Sequence, residues 1–221
     1  MSSAPPICGI DFDNTIVTYD ELLTKIARER GLIHASGVQS KRSIRDQIRQ
    51  LPDGEIEWQK CQALLYGQRI SEATLAHGVS AFFLSCRERA IPVYIVSHKT
   101  EYSSYDASGT NLRAAALDWM RANRFFEPDG LGLEPNSVFF ASTRSAKIER
   151  IRHLACTHFI DDLEETFLED TFPGATARIL YEPSRQGPPP PGVALMRTWQ
   201  EIRDYFFSAN CSVRRRPQGH R

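Results

Sequence analysis

Ile7-Cys8-Gly9-Ile10-Asp11-Phe12-Asp13-Asn14-Thr15-Ile16 is the stretch that decides the fold. An apolar run ends in two carboxylates, Asp11 and Asp13, spaced by one residue, and a hydroxyl follows at Thr15. A run this short and apolar, closing in polar residues, reads as a buried parallel strand. Ligands of open α/β sheets bind outside the carboxyl ends of the strands, which is where Asp11 and Asp13 fall. In an extended chain, residues two apart point the same way, so both carboxylates face one site if that geometry persists. Asp11 can then serve as a nucleophile or metal ligand, and Asp13 can pass protons. Two acids in an ordinary strand-end turn are the plainer reading of this stretch by itself.

Three further stretches bear on the choice. Tyr94-Ile95-Val96-Ser97 is a second strand ending in a hydroxyl. Val138-Phe139-Phe140-Ala141 is a third, and Lys147 opens a helix soon after it. His158-Phe159-Ile160-Asp161-Asp162 is a fourth, ending in an acid pair. Asp-x-Asp-x-Thr, then Ser, Lys and Asp-Asp, in that order at strand ends, resembles the haloacid dehalogenase-like superfamily. All four of its motifs match, between Asp11 and Asp162.

The resemblance implies a doubly wound parallel α/β sheet with a small inserted helical cap, and a hydrolase of the phosphatase type. By motif, Asp11 is the nucleophile that forms an aspartyl-phosphate. Asp13 protonates the leaving oxygen, then activates the hydrolytic water, and its backbone carbonyl touches a Mg²⁺ ion. Ser97 and Lys147 hold the phosphoryl oxygens, and Thr15 and His98 join the phosphate-binding set. Asp162 aligns with the family's last metal ligand; Asp161 beside it is kept in the metal set with Asp11 and Asp13. Asp13 also discriminates within the family, since a dehalogenase has no leaving oxygen to protonate and lacks this second acid. It points to a phosphatase or a phosphomutase. The His98 side chain can bond substrate or pack at the strand end, and its backbone N–H is the better phosphate ligand.

Composition sets the outer bounds. At 221 residues the chain is one domain, or one domain with a small insert, and long enough to bury a core without staples. Lys+Arg and Asp+Glu balance at 27 each, so no global field draws it to nucleic acid or a membrane surface. The five cysteines are scattered, odd in number and never in a Cys-x-x-Cys pair. That suits a reducing cytoplasm and argues against a disulfide framework or zinc knuckle. Met1 to Pro6 lacks the basic and apolar regions of a signal peptide, and no apolar run is long enough to span a bilayer. No membrane or nucleic-acid partner is expected, and the sequence does not give the oligomeric state.

Between Ile16 and Ile91 the signals are helical. Residues 20–30 place Leu22, Leu23, Ile26 and Ala27 on one face behind Asp20 as a cap, with Gly31 as the stop. Residues 41–51 repeat Ile44, Ile48 and Leu51, with Arg42, Arg45 and Arg49 on the opposite face. Residues 55–66 carry Trp58, Cys61 and Leu65, and a longer helix is expected over 72–89 with Leu75, Val79, Phe82, Phe83 and Cys86 inward. One crossover helix is enough for a parallel pair. The surplus, residues 19–70, reads as a cap, or as helices that merely extend the core. The expected division is therefore 1–18 with 71–207 as the core, 19–70 as the cap, and 208–221 as a basic flexible tail.

Later, Leu112, Ala115, Ala116, Trp119 and Met120 mark a core-facing helix over 111–122. Ser145 is the expected cap of the helix carrying Lys147. Ala177 to Tyr181 is a fifth strand, residues 183–192 a proline-stiffened connector, and Thr198-Trp199-Gln200-Glu201 a capping box. The loop 99–109, with Tyr102 and Tyr105, is either a substrate contact or plain surface.

The substrate expected is a small phosphorylated metabolite, because a short cap can close over a small ester but not over a folded phosphoprotein. Sugar phosphates or sugar-linked phosphates lead, because residues 97–100 and 199–202 look similar to proteins among bacterial surface-polysaccharide enzymes. A 5′-nucleotidase, a phosphomutase, or a non-catalytic binding protein on the same fold are the alternatives.

Overall fold

The computed structural model describes residues 6–34 and 36–211. Six parallel strands form the main sheet: β1 (Cys8–Ile10), β4 (Val93–His98), β5 (Val138–Ala141), β6 (His158–Asp161), β7 (Ala177–Tyr181) and β8 (Val193–Met196), in the order β5-β4-β1-β6-β7-β8. Two short strands, β2 (Val17–Thr18) and β3 (Thr74–Leu75), pair antiparallel beside it. β1 lies between β4 and β6, with Ile10 in register with Ile95 and Ile160. The strand order therefore reverses at β1, which makes its carboxyl end the topological switch point where such sheets bind ligands.

Helices cover both faces. On one, α4 (Val79–Glu88), α5 (Leu112–Ala122) and α8 (Trp199–Cys211) bury Phe82, Trp119 and Phe206 against Cys8 and Ile10. On the other, α6 (Arg144–His153) and α7 (Glu164–Leu168) bury Ile148, Ile151 and Phe167 against Val96, Phe159 and Leu180. The sheet is doubly wound, as the sequence leads one to expect. Gly9 sits where a Cβ would lie 2.6 Å from the Phe159 ring and 2.9 Å from Cys156 Sγ, so only glycine fits without repacking.

Between β2 and β3 run α1 (Asp20–Glu29), α2 (Lys41–Ile48) and α3 (Gly54–Tyr66), which contact one another. Their buried residues, including Leu23, Ile26, Ile44, Ile48 and Trp58, are continuous with the core cluster around β1. Gly31 follows α1 in the left-handed region, with φ of 69°, as a helix stop requires.

Several local expectations are corrected. The residue preceding α1 is Tyr19, not Asp20; Asp20 lies in the first turn and its carboxylate accepts from the Lys41 backbone N–H at 2.9 Å. The helix expected over 72–89 begins only at Val79, because Thr74 and Leu75 are pulled into pairing with Thr18 and Val17 and Gly78 turns the chain with φ of 93°. Leu51 falls outside α2 and is exposed. The cap of α6 is Thr143, whose Oγ1 accepts from Ala146 N at 3.1 Å, and Ser145 lies within the first turn. β8 is a sixth parallel strand that the proline-rich stretch before it masks in the sequence. Helix α8 continues through Cys211, past the boundary expected at 207/208, and Arg214, Arg215, Arg216 and Arg221 lie outside the described residues. Thr198 and Glu201 do form a cap: Thr198 Oγ1 accepts from Glu201 N at 3.1 Å, and Glu201 accepts from Arg197 N at 2.6 Å.

Candidate active site

The site is built on the carboxyl ends of β1, β4 and β6 and the first turns of α6. Asp11 follows β1 directly and extends its ladder, its N–H donating to Ile160 O at 2.8 Å. The chain then turns tightly: Ile16 and Val17 both donate to Phe12 O, and Asn14 takes a left-handed φ of 57°, a conformation its short polar side chain tolerates. Phe12 anchors this turn in the core, edge-on to Trp119 at 5.5 Å between ring centroids.

Lys147 is buried and donates to Asp11 Oδ1 at 2.6 Å and to Asp161 Oδ2 at 2.7 Å. Thus the lysine in the first turns of α6, where the helix dipole disfavours a cation, has two carboxylate partners. Burial works against its charge, but Asp11 and Asp161 outweigh that and hold its pKa above the usual lysine value. Burial pushes the Asp11 carboxyl up to about 7, against the pull of Lys147 and with the help of the neighbouring Asp161 and Asp13. Burial and then Asp11 also drive the Asp162 carboxyl well above its ordinary value. Single oxygens of Asp11, Asp161 and Asp162 lie within 4.8 Å of one another, close enough to share one cation. Both Asp161 oxygens are already engaged, Oδ2 by Lys147 and Oδ1 by the Leu163 N–H at 3.0 Å. Asp162 accepts no hydrogen bond from any described residue, which leaves its oxygens the freer ligands.

The Asp13 carboxylate stands apart from this trio. Its Oδ1 accepts from the Tyr19 hydroxyl at 2.6 Å, and Lys99 lies 2.8 Å from Oδ2 and 3.1 Å from Oδ1. Asp13 is thus clamped from two sides. Its own burial and its bond to Asp13 push the Tyr19 phenol well above the usual tyrosine value, so it remains a donor.

Ser97 and Thr15 are fully buried, and neither Ser97 Oγ nor Thr15 Oγ1 has a hydrogen-bond partner. Among the described residues the only other such atom is Glu127 Oε2, in the loop at the opposite end of the sheet. Along β4 the side chains alternate, so Ser97 and Lys99 share one face. His98 points the other way, is exposed, and meets Ser142 O at 3.2 Å through Nε2. Its side chain thus lies at the strand end on Ser142, away from the face that Ser97 and Lys99 share.

Three residues with a place in this geometry, Tyr19, Lys41 and Tyr66, carry no mark in the sequence, and Lys99 is marked only as part of the segments 97–100 and 99–109. For Lys99 a signal exists, since it lies two residues beyond Ser97 on an extended segment. Tyr19 reads as core, and Lys41 and Tyr66 read as the ordinary ends of two helices.

Neither a protein-family model nor a curated protein matches the sequence. Solved structures do match in shape. A haloacid dehalogenase-like family hydrolase from Streptococcus pneumoniae superposes with a TM-score of 0.59 at 14% identity, covering 93% of this chain and 100% of that one. The chain has the haloacid dehalogenase-like fold. A HAD hydrolase from Bacillus subtilis, bound to magnesium, aligns at 12% identity and a TM-score of 0.56 over 92% of this chain and 99% of its own. One from Deinococcus radiodurans, with bound phosphate and sodium, aligns at 15% identity and 0.55 over 94% and 98%. At these identities the haloacid dehalogenase-like likeness concerns architecture, and the chemistry rests on this chain's own residues. No helix among the described residues is long and apolar enough to cross a membrane.

Proposed function

We propose that the protein is a Mg²⁺-dependent phosphatase that hydrolyses a small phosphorylated metabolite through an aspartyl-phosphate on Asp11. The observation that carries this reading is the pair of buried, unpartnered hydroxyls, Ser97 Oγ and Thr15 Oγ1, at the same strand ends as the Asp11–Lys147 pair. Leaving a buried hydroxyl unsatisfied costs about 1–3 kcal/mol, a cost that bound phosphoryl oxygens would offset.

The Asp11, Asp161 and Asp162 oxygens are a hard, all-carboxylate donor set, which fits Mg²⁺. Asp11 and Asp162 would hold the ion, with the Asp13 carbonyl beside them and Asp161 oriented by Lys147. Bound there, the metal offsets the repulsion between a carboxylate and a phosphate dianion.

In the first half-reaction an Asp11 carboxylate oxygen attacks phosphorus, and the bond from phosphorus to the ester oxygen breaks. Asp13, protonated beforehand at the expense of its ion pair with Lys99, gives that proton to the ester oxygen, so the leaving group departs as an alcohol. In the second half, Asp13, now a carboxylate, takes a proton from water as the water attacks the aspartyl-phosphate. Inorganic phosphate leaves and the Asp11 carboxylate is restored. Tyr19 fixes one Asp13 oxygen throughout. Lys147, Ser97 and Thr15 grip the phosphoryl oxygens.

Residues 19–70 serve as the lid over a core of 1–18 and 71–207, and sugar phosphates or sugar-linked phosphates remain the favoured substrates. The test is phosphate release from an aryl phosphate by purified protein with Mg²⁺. Release should stop with EDTA and be absent in Asp11→Asn, whose amide cannot act as nucleophile, while the folded signal by circular dichroism persists. Turnover that survives both changes undiminished removes the mechanism.

A further inference from the structure

Three lysines gather beside the four carboxylates of the site, and one of them has no carboxylate partner of its own. Lys147 pairs with Asp11 and Asp161, and Lys99, only 3% exposed, pairs with Asp13. A third cation, Lys41, comes from the first residue of α2, a position where the helix dipole disfavours it. No described carboxylate lies within ion-pair distance of its amino group. Its Nζ lies over the ring of Tyr66, the last residue of α3, 5.6 Å from the ring centre. Lys99 Nζ lies 4.7 Å from the same ring centre. Tyr66 in turn stacks edge-on against Tyr19, 5.2 Å between centroids, which holds it in place above Asp13. The ends of α2 and α3 and the end of β4 therefore converge on one spot beside the catalytic carboxylates. It consists of two ammonium groups around a phenol.

Holding these cations together is unfavourable unless something negative offsets it. Asp13 accounts for Lys99. Burial works against the charge on Lys41, and Tyr66 and the more distant Asp162 and Asp13 outweigh it. Its close neighbour is the Tyr66 ring, and no described carboxylate forms an ion pair with it.

We propose that Lys41, the Tyr66 hydroxyl and Lys99 bind a second anionic oxygen group of the substrate, a carboxylate or a second phosphate, alongside the phosphoryl group being transferred. This rests on the phosphatase reading and narrows its substrate class to phosphate esters that carry a further acid group. The cluster draws on α2 and α3 together with β4, so substrate bearing that group fastens the helical segment onto the core.

The test uses the Asp11→Asn protein with Mg²⁺, titrated by calorimetry with matched pairs of ligands: a polyol monophosphate, its counterpart with one carbon oxidised to a carboxylate, and the corresponding bisphosphate. At least one acid-bearing ligand should bind about tenfold tighter than the plain monophosphate. Lys41→Met should abolish that preference, and Tyr66→Phe should reduce it. Which ligand gains identifies the second group as carboxylate or phosphate. Equal binding of all three ligands, or a preference that survives in both variants, overturns the inference. If the preference is present and falls with Lys41→Met, but wild-type protein turns over none of the three ligands, the anion site stands and the phosphatase reading fails.

Discussion

In the proposed mechanism, Asp13 shows how much of the chemistry is decided at single residues. A group that gives and then takes a proton must keep one orientation through both half-reactions. The Tyr19 hydroxyl, 2.6 Å from Oδ1, supplies that constraint from a residue otherwise buried in the core. Tyr19→Phe keeps the ring and removes the bond. It should lower kcat by about tenfold or more with a smaller change in KM, and cost about 1 kcal/mol of stability, measured by steady-state kinetics and urea unfolding. An unchanged kcat would show that Asp13 needs no such support. Lys147 carries a heavier structural duty, since removing it leaves two buried carboxylates without a cation. Lys147→Met should destabilise the protein by about 3–5 kcal/mol when unfolded without metal. Asp11, Ser97 and Asp161 are legible because each is a polar residue at the end of an apolar run, where chain pattern and chemistry coincide, and Lys147 because it is a cation near the start of a helix, where the dipole disfavours it. Lys41 and Tyr66 are not, because nothing local separates a helix-end residue facing a site from one facing solvent.

Elements were legible where one periodicity acted alone. β5 and β7 have the bounds the sequence leads one to expect because each is a short apolar run between turn signals, and α5 nearly so because it has a single buried face. The start of α4 was not, because the helical pattern over 72–78 is overridden by pairing between β2 and β3. β8 escaped notice because its four residues follow a proline run and carry no turn of their own in the pattern. The middle of β1 offers a sharper test. Gly9→Ala puts a methyl 2.6 Å from the Phe159 ring in a close-packed sheet. Forcing β1 and β6 apart should cost about 1–3 kcal/mol, seen as a melting point several degrees lower. On and just beyond α2, the arginine face meets neighbouring acids. Arg45 pairs with Asp46 and Arg49 with Glu55, all of them solvent-accessible. Replacing Arg42, Arg45 and Arg49 with Gln should leave KM for the true substrate within about twofold, since exposed pairs of this kind contribute little. A large rise in KM would assign this face to the substrate.

At the scale of the whole molecule, the strand order made a site at the end of β1 a matter of topology, and the sequence then filled it with acid. Buried carboxylates cost stability, and the cost depends on pH in a way that reports on metal. The Asp11 carboxyl is raised in the folded protein to about 7, from 3.8 when unfolded. Below the unfolded value both states are protonated and Asp11 costs nothing. Between the two values the folded state holds the proton and the unfolded state has lost it, so stability falls as pH rises. Above about 7 both states are ionised and the full cost is in force. Asp162, raised in the same direction, adds to the loss. A divalent cation binds only the ionised carboxylates and so competes with protons for them. Metal should therefore recover stability where the carboxylates are ionised and recover little where they are protonated. Thermal melts with and without 10 mM Mg²⁺ (of order a hundred times a sub-millimolar Kd) should show a clear upward shift at pH 8 and a much smaller one at pH 5. In Asp162→Asn the pH 8 shift should shrink, since the freest of the ligands is gone. A Mg²⁺ shift of equal size at both pH values, or one that Asp162→Asn leaves untouched, would mean that the ion binds elsewhere than at the Asp11, Asp161 and Asp162 cluster.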